Sequence, residues 1–388
     1  NFKNFGYLLK NNKIILTFVA LFVIFISYLL LPTFYKQNEI SKKLETVLQN
    51  KLDIKFKFPE NINYNFFPRP HFTTINSSIT NKQSEISKIK KLKIFISLDS
   101  LFSVKNIKVT DLIVENANFN LNKKNYNFFS QLLNKNYKNG DLIIKDSNIF
   151  FKNSEDEVLF INKILKMKFY FETKDSKNIF YSDNEIFNIP FSLESYFNND
   201  KSKIFSQIDI SLMKLKIKNE LSFTDENKVG KSEFTLNKLK PIAEYKIEKN
   251  YFDFHIFDKL DEPSITYKGK FNLKPFSASL EADLDQINFH YLFGANSIIS
   301  QLLKTEILNN KNIDFKLNIN ADKIYKNTNF RNINLKSKIQ EGLIDTDNTK
   351  FEWKNYADFN LLESLIYVKN GELVLDGKVK INVKNYKE

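Results

Sequence analysis

Asp111-Leu112-Ile113-Val114-Glu115-Asn116-Ala117-Asn118-Phe119 and Asp141-Leu142-Ile143-Ile144-Lys145-Asp146-Ser147-Asn148-Ile149 match position by position at a spacing of 30 residues. Each copy runs through three apolar residues, a charge, Asn or Asp, a small residue, and then becomes apolar again. Asn or Asp beside Ala or Ser tolerates unusual backbone angles, so each copy is predicted to be a strand that bends sharply or bulges and then continues. A third copy, Ile366-Tyr367-Val368-Lys369-Asn370-Gly371-Glu372-Leu373, keeps the plan without the leading Asp and puts Asn370 at the expected bend. Repeated sheet units of this kind stack in one dimension.

Outward from the repeat, the period stays at two. Ile54-Lys55-Phe56-Lys57-Phe58, Ile62-Asn63-Tyr64-Asn65-Phe66, Phe315-Lys316-Leu317-Asn318-Ile319 and Val379-Lys380-Ile381-Asn382-Val383 alternate apolar and polar side chains, as half-buried strands do. Helical spacing is scarce. Ile40, Leu44, Val47 and Leu48 predict a short amphipathic helix, Ala295 to Leu308 predicts a second, and Asp358 to Ile366 a weaker third.

The run Ile14 to Leu31 carries no charge, and its 18 residues cover about 27 Å at the helical rise, close to the thickness of a hydrocarbon core. Ile14, Leu21, Ile24 and Leu31 are its anchor positions. Leu30-Leu31-Pro32-Thr33-Phe34 offers no small-x-small cleavage site, so the run is expected to remain as an anchor. Lys3, Lys10 and Lys13 precede it without any acidic residue, which predicts a cytoplasmic N-terminus and an exported remainder.

Composition narrows the chemistry. The absence of Cys removes disulfides, zinc thiolates and thiol nucleophiles together. The net charge of +13 is spread along the chain; its one tight group, Lys88, Lys90, Lys91 and Lys93, reads as a solvated strand face, and nucleic acid is not an expected partner. His71, His255 and His290 belong to no metalloprotease or deaminase signature. Asp253 and His255 share the polar face of a strand, and Glu281, Asp283 and Asp285 form a solvent-facing carboxylate row. Asp345-Thr346-Asp347 lacks the Gly and the later Glu of a calcium loop. No catalytic, metal or cofactor site is expected.

In this order of features the chain resembles the AsmA family of bacterial envelope proteins. The resemblance rests on the anchor, the helix ending before Leu52-Asp53-Ile54, Phe67-Pro68-Arg69-Pro70, the Leu92 to Leu101 strand, and Ile113 to Leu121 followed by Asn127-Phe128. The region Ile313 to Val383, with Gly342, Asn370-Gly371 and Asp376-Gly377, is similar to the end of such proteins. Asn50-Lys51 stands where the family usually has Gly, and Lys174 to Leu292 matches in style alone.

The resemblance implies a mostly β fold: an N-terminal transmembrane helix, then a long curled, repeat-like sheet with a hydrophobic groove and a few short helices. The implied segments are a cytoplasmic stub 1–13, the span 14–31, the amphipathic helix 32–52, and β modules 53–175, 176–310 and 311–388. It further implies a bacterial inner-membrane protein with its bulk in the periplasm. Such a protein would bind or conduct phospholipid along the groove and support outer-membrane lipid homeostasis. The alternative is a scaffold that assembles outer-membrane or other envelope proteins. Phe315, Leu317, Ile319, Val379, Ile381 and Val383 are the groove candidates. A two-chain lipid crossing water exposes roughly 30 methylenes at about 0.8 kcal/mol each, so an apolar track removes a barrier on the order of 25 kcal/mol.

Overall fold

A computed structural model describes residues 13–385, apart from 60, 82–83, 123, 154, 199, 224–227, 237–239, 249–250, 258–264, 274–275, 290–313, 341–342 and 371. Among these residues 22 strands belong to one mixed sheet, so the chain is mostly β as expected. It divides into two compact units, residues 1–182 and 183–388.

In the first unit the apolar run forms α1 (Lys13–Leu30), followed by a 3-10 turn, Leu31–Phe34, and by α2 (Gln37–Leu52). Ile40, Leu44, Leu48 and Leu52 recur every four residues, which puts them on one helix face, and all four are buried. Each such burial is worth about 1.5–3 kcal/mol. Asp53 stops the helix in the left-handed region at φ 57°, and its N–H donates to the Gln49 carbonyl at 2.8 Å. The strands are β1 (Lys55–Lys57), β2 (Ile62–Asn65), β3 (His71–Asn81), β4 (Ser84–Ile96), β5 (Val109–Leu121), β6 (Leu142–Lys152) and β7 (Val158–Glu172), with α3 (Phe128–Leu133) between β5 and β6.

The repeat folds as a parallel pair. Leu112 lies beside Leu142, Glu115 beside Lys145 and Phe119 beside Ile149, so on either side of Asn116-Ala117 the residues from Leu112 to Leu121 neighbour their own counterparts thirty positions on. Parallel strands need a crossover, which the segment carrying α3 supplies. Asn116 and Asp146 sit in the left-handed region, at φ 55° and 47°, as does Asn76 of β3 at φ 60°. The registers align Asn76, Lys90, Asn116, Asp146 and Leu165 in one row across β3 to β7.

At that row the buried positions change parity. On β5, Leu112 and Val114 are buried before it and Ala117, Phe119 and Leu121 after it; on β6, Leu142 and Ile144 give way to Ser147 and Ile149. A regular strand alternates faces with period two, so the left-handed residue resets the phase and lets each strand keep a buried set on both sides of the crease. The bends expected at Asn116 and Asp146 are therefore present. The third copy is different. Asn370, at φ 52°, lies at the end of a hairpin closed by Lys369 opposite Glu372, because Asn-Gly suits a two-residue turn as well as a bend.

β8 (Lys177–Ile186) is followed in the second unit by β9 (Ile189–Phe197), β10 (Lys203–Ile210), β11 (Leu215–Phe223), β12 (Lys228–Leu236), β13 (Ile242–Ile247), β14 (Tyr251–Phe257), β15 (Ile265–Leu273) and β16 (Phe276–Ile287). From β9 to β16 each strand pairs antiparallel with the next. β17 (Asp314–Ile324) then lies parallel to β16, and β18 (Asn327–Gln340), β19 (Leu343–Asp345), β20 (Lys350–Trp353), β21 (Ala357–Lys369) and β22 (Glu372–Val383) complete the order. The helix expected over Ala295 to Leu308 lies outside the described residues, within the β16–β17 connection.

The weaker helix expected over Asp358 to Ile366 is instead part of strand β21. Between Leu362 and Leu365 the register against β22 shifts, and Glu363 is left-handed at φ 49°. This bulge shifts the two-residue alternation, so Phe359, Leu361, Leu362, Leu365 and Ile366 imitate helical spacing. Gly377 faces the bulge, where a Cβ would come within 2.6 Å of the Ser364 Cβ.

Candidate functional site

The strands β9 to β16 carry chemically opposite faces. Register places Ile204, Leu221, Gly230, Tyr245, Phe254, Gly269 and Leu280 in one row across β10 to β16. A flanking row on the same face holds Leu193, Ile208, Ile217 and Phe234. The apolar side chains of both rows are all partly buried. The described part of the second unit holds no complete α-helix; Phe289 alone is α-helical, and Ser211–Met213 form a single 3-10 turn. Eight strands at about 4.8 Å make this face on the order of 35 Å wide.

Two glycines shape the face. A Cβ at Gly230 would lie 2.1 Å from Tyr245 Cζ, and one at Gly269 2.2 Å from Phe254 Cζ, so both rings lie down across the neighbouring strand. Between the apolar rows runs a polar line that satisfies itself. The Ser195 hydroxyl donates to Ser206 at 2.8 Å, and Ser232 and Tyr245 both donate to Asn219 Oδ1, at 2.8 and 2.7 Å. Burial pushes the Tyr245 phenol up against the opposing effect of Asn219, which keeps it a neutral donor.

The opposite face is charged. Glu220, Lys231, Glu244, His255, Lys268 and Glu281 stand in one row, each opposite the next. With Lys246, Asp253 and Lys270 they line a concavity of about 950 Å³. Lys203 pairs with Glu220 at 2.5 Å, and Lys270 lies 3.4 Å from the centre of the Tyr251 ring. The opposite-sign neighbours Glu220–Lys231, Lys231–Glu244 and Lys268–Glu281 neutralise one another locally. Asp253 and His255 are both exposed here, on the shared polar face read from the sequence.

The structure separates the groove candidates into two sets. Leu317 and Ile319 are 4% and 1% exposed, inside a cluster with Ala282, Leu284, Ile333 and Leu335, and Phe315 packs against it partly buried. Val379, Ile381 and Val383 are 51%, 53% and 54% exposed on β22, opposite Leu361, Phe359 and Ala357 of β21. β18, β20 and β21 stand between β17 and β22 in the ladder, so the two sets lie on strands that do not pair with each other. Of the anchor positions, Leu21 and Ile24 are exposed at 59% and 64%, Ile14 lies within α1, and Leu31 opens the 3-10 turn.

Glu281, Asp283 and Asp285 are exposed on one face of β16, and Asp283 accepts from Asn320 at 2.9 Å. Asp345 and Asp347 serve a turn: Asp345 accepts from the Asp347 N–H at 2.8 Å, and Asp347 accepts from the Ser364 N–H of the β21 bulge at 2.6 Å. His71 is buried, with Nδ1 2.8 Å from the Arg69 carbonyl and its ring stacked on Phe95. His290 lies outside the described residues. Among the described residues no group of His, Asp and Glu is arranged to hold a metal ion.

No protein-family model matches the chain, and no curated protein matches it. The apolar rows of β9 to β16 fall in the stretch where sequence patterning was least specific. Their signal was the alternation in segments such as Leu215-Lys216-Ile217-Lys218 and Phe252-Asp253-Phe254-His255-Ile256, which gives a strand an apolar side but does not name its neighbours.

Proposed function

We propose that this chain is an inner-membrane-anchored periplasmic protein that binds or conducts phospholipid along the apolar face of β9 to β16, in support of outer-membrane lipid homeostasis. The observation that carries the reading is the continuity of that face: partly buried apolar side chains recur in register from Leu193 to Leu280, beside a line whose polar groups bond to one another. A non-directional apolar surface suits acyl chains, because burial there scales with area and needs no matched hydrogen-bond partners.

The anchoring part of the proposal draws on α1, the one helix among the described residues long and apolar enough to cross a membrane. The orientation draws on Lys3, Lys10 and Lys13 ahead of it. The compartment and lipid role draw on the AsmA-like order of features. Mass spectrometry of lipids co-purified with the full chain tests the proposal: enriched phospholipid supports it, and a lipid-free chain refutes it. The alternative, an envelope-protein scaffold, is favoured by the charged row from Glu220 to Glu281, a surface suited to a polar protein partner.

A further inference from the structure

The end of α1 and the turn after it are bonded to the loop 97–102 and to strand β2, which leads into the loop 66–70. The Tyr28 hydroxyl donates to the Leu98 carbonyl and the Tyr35 hydroxyl to the Leu101 carbonyl. The Tyr64 hydroxyl, on β2, donates to the Leu29 carbonyl at 2.6 Å. The two loops, 66–70 and 97–102, lie at the same end of the strands, since the Ile96 N–H donates to the Pro70 carbonyl at 3.0 Å. Both loops present large apolar side chains to the outside. Phe67 is 79% exposed and Phe102 74%, with Phe66 at 42%, Leu98 at 49%, and Phe34 of the turn after α1 at 83%.

Depth follows from the bonding. Tyr28 precedes the end of the apolar run at Leu31 by three residues, about 4.5 Å along a helix, and the Phe102 ring packs on Tyr28 with centroids 4.7 Å apart. A helix crossing the bilayer therefore carries Phe102 to the headgroup boundary, and the neighbouring loop carries Phe66 and Phe67 to the same end. In water these rings are an exposed apolar liability; at the interface, where amphipathic and aromatic groups concentrate, they are stabilised.

We infer that Phe34, Phe66, Phe67, Leu98 and Phe102 form a collar that seats the first unit in the interfacial layer of the bilayer crossed by α1. The collar ties the sheet to the membrane surface, so the unit does not swing freely on its anchor. The inference rests on α1 crossing a bilayer and is independent of whether lipid travels along the sheet.

The test places single tryptophans in the full chain, reconstituted in phosphatidylcholine vesicles without brominated lipid, with lipid brominated near the headgroup to report the collar, and with lipid brominated near the acyl-chain ends to report α1. Trp353→Phe removes the chain's one tryptophan, and Phe67→Trp or Phe102→Trp then reports the collar. Phe22→Trp reports α1, and Val158→Trp reports the opposite end of the strands, where β7 begins. The collar positions are expected to show blue-shifted emission and to lose intensity to the brominated lipid, with Val158→Trp unaffected. Quenching of Phe22→Trp but not of the collar positions overturns the collar while α1 still spans. Loss of quenching at all positions overturns the anchor and the collar together.

Discussion

The backbone N–H of Ala117 donates to the Ser147 hydroxyl at 2.9 Å, across one repeat of 30 residues. Its companions have the same spacing: the Asp141 N–H donates to Asp111 Oδ1 at 2.9 Å, and Asn148 Nδ2 to Asn118 Oδ1 at 3.2 Å. Where the crease takes Asn116 and Asp146 out of the ladder, a side chain of one copy supplies the acceptor that the strand pairing no longer provides. The Asp, Asn and Ser of the repeat are thus the polar groups that join its copies.

Ser147→Ala removes that acceptor while leaving the Ala117 N–H buried. The expected cost is about 1–3 kcal/mol, read as a lowered melting temperature, whereas Ser147→Thr, which keeps a hydroxyl, recovers much of it. A Ser147→Ala chain as stable as the parent would show that the contact contributes nothing.

Asn116 at φ 55° makes a second, backbone-level prediction. Asn116→Gly should be nearly neutral, and Asn116→Val should destabilise by roughly 1–2 kcal/mol, since a side chain branched at Cβ resists the left-handed region. Equal melting temperatures for the two variants would contradict a left-handed crease.

The expected strands and their alternation were legible because period two survives in sequence wherever a strand is regular. Asn116 and Asp146 were legible because an Asn or Asp beside a small residue announces a backbone departure. Which departure it announces was not legible: the same pattern at Asn370 closes a hairpin, and the bulge at Glu363 made strand β21 read as a helix. Neighbour relations were hidden too. The apolar rows of β9 to β16 require knowing that Leu221, Tyr245 and Phe254 share a face across different strands, and local patterning carries no register between strands.

The two groove sets separate under one perturbation. Leu317→Asp places a charge where the side chain is 4% exposed, and the expected destabilisation is several kcal/mol, seen as loss of folded protein. Ile381→Asp places it where the side chain is 53% exposed, and folding is expected to survive. The opposite order in a thermal melt would reverse the assignment.

Tyr64 predicts an alkaline limb. Burial, followed by the nearby Tyr35, raises its phenol from 10.0 to about 12. A folded-state value above the unfolded one means that the contribution is complete below pH 10 and is lost as pH climbs toward about 12. The melting temperature of the parent should therefore fall more steeply over that window than that of Tyr64→Phe; parallel profiles would remove Tyr64 from the alkaline transition.

The central claim concerns which face meets lipid, and face-selective photo-crosslinking tests it most directly. A photoreactive side chain replaces Leu221 or Phe254 on the apolar face, or Lys231 or Lys268 on the charged one, in the full chain within native membranes. After irradiation, mass spectrometry should find phospholipid adducts at Leu221 and Phe254 and none at Lys231 and Lys268. Adducts at all four positions, or at none, would contradict a lipid-carrying face on β9 to β16.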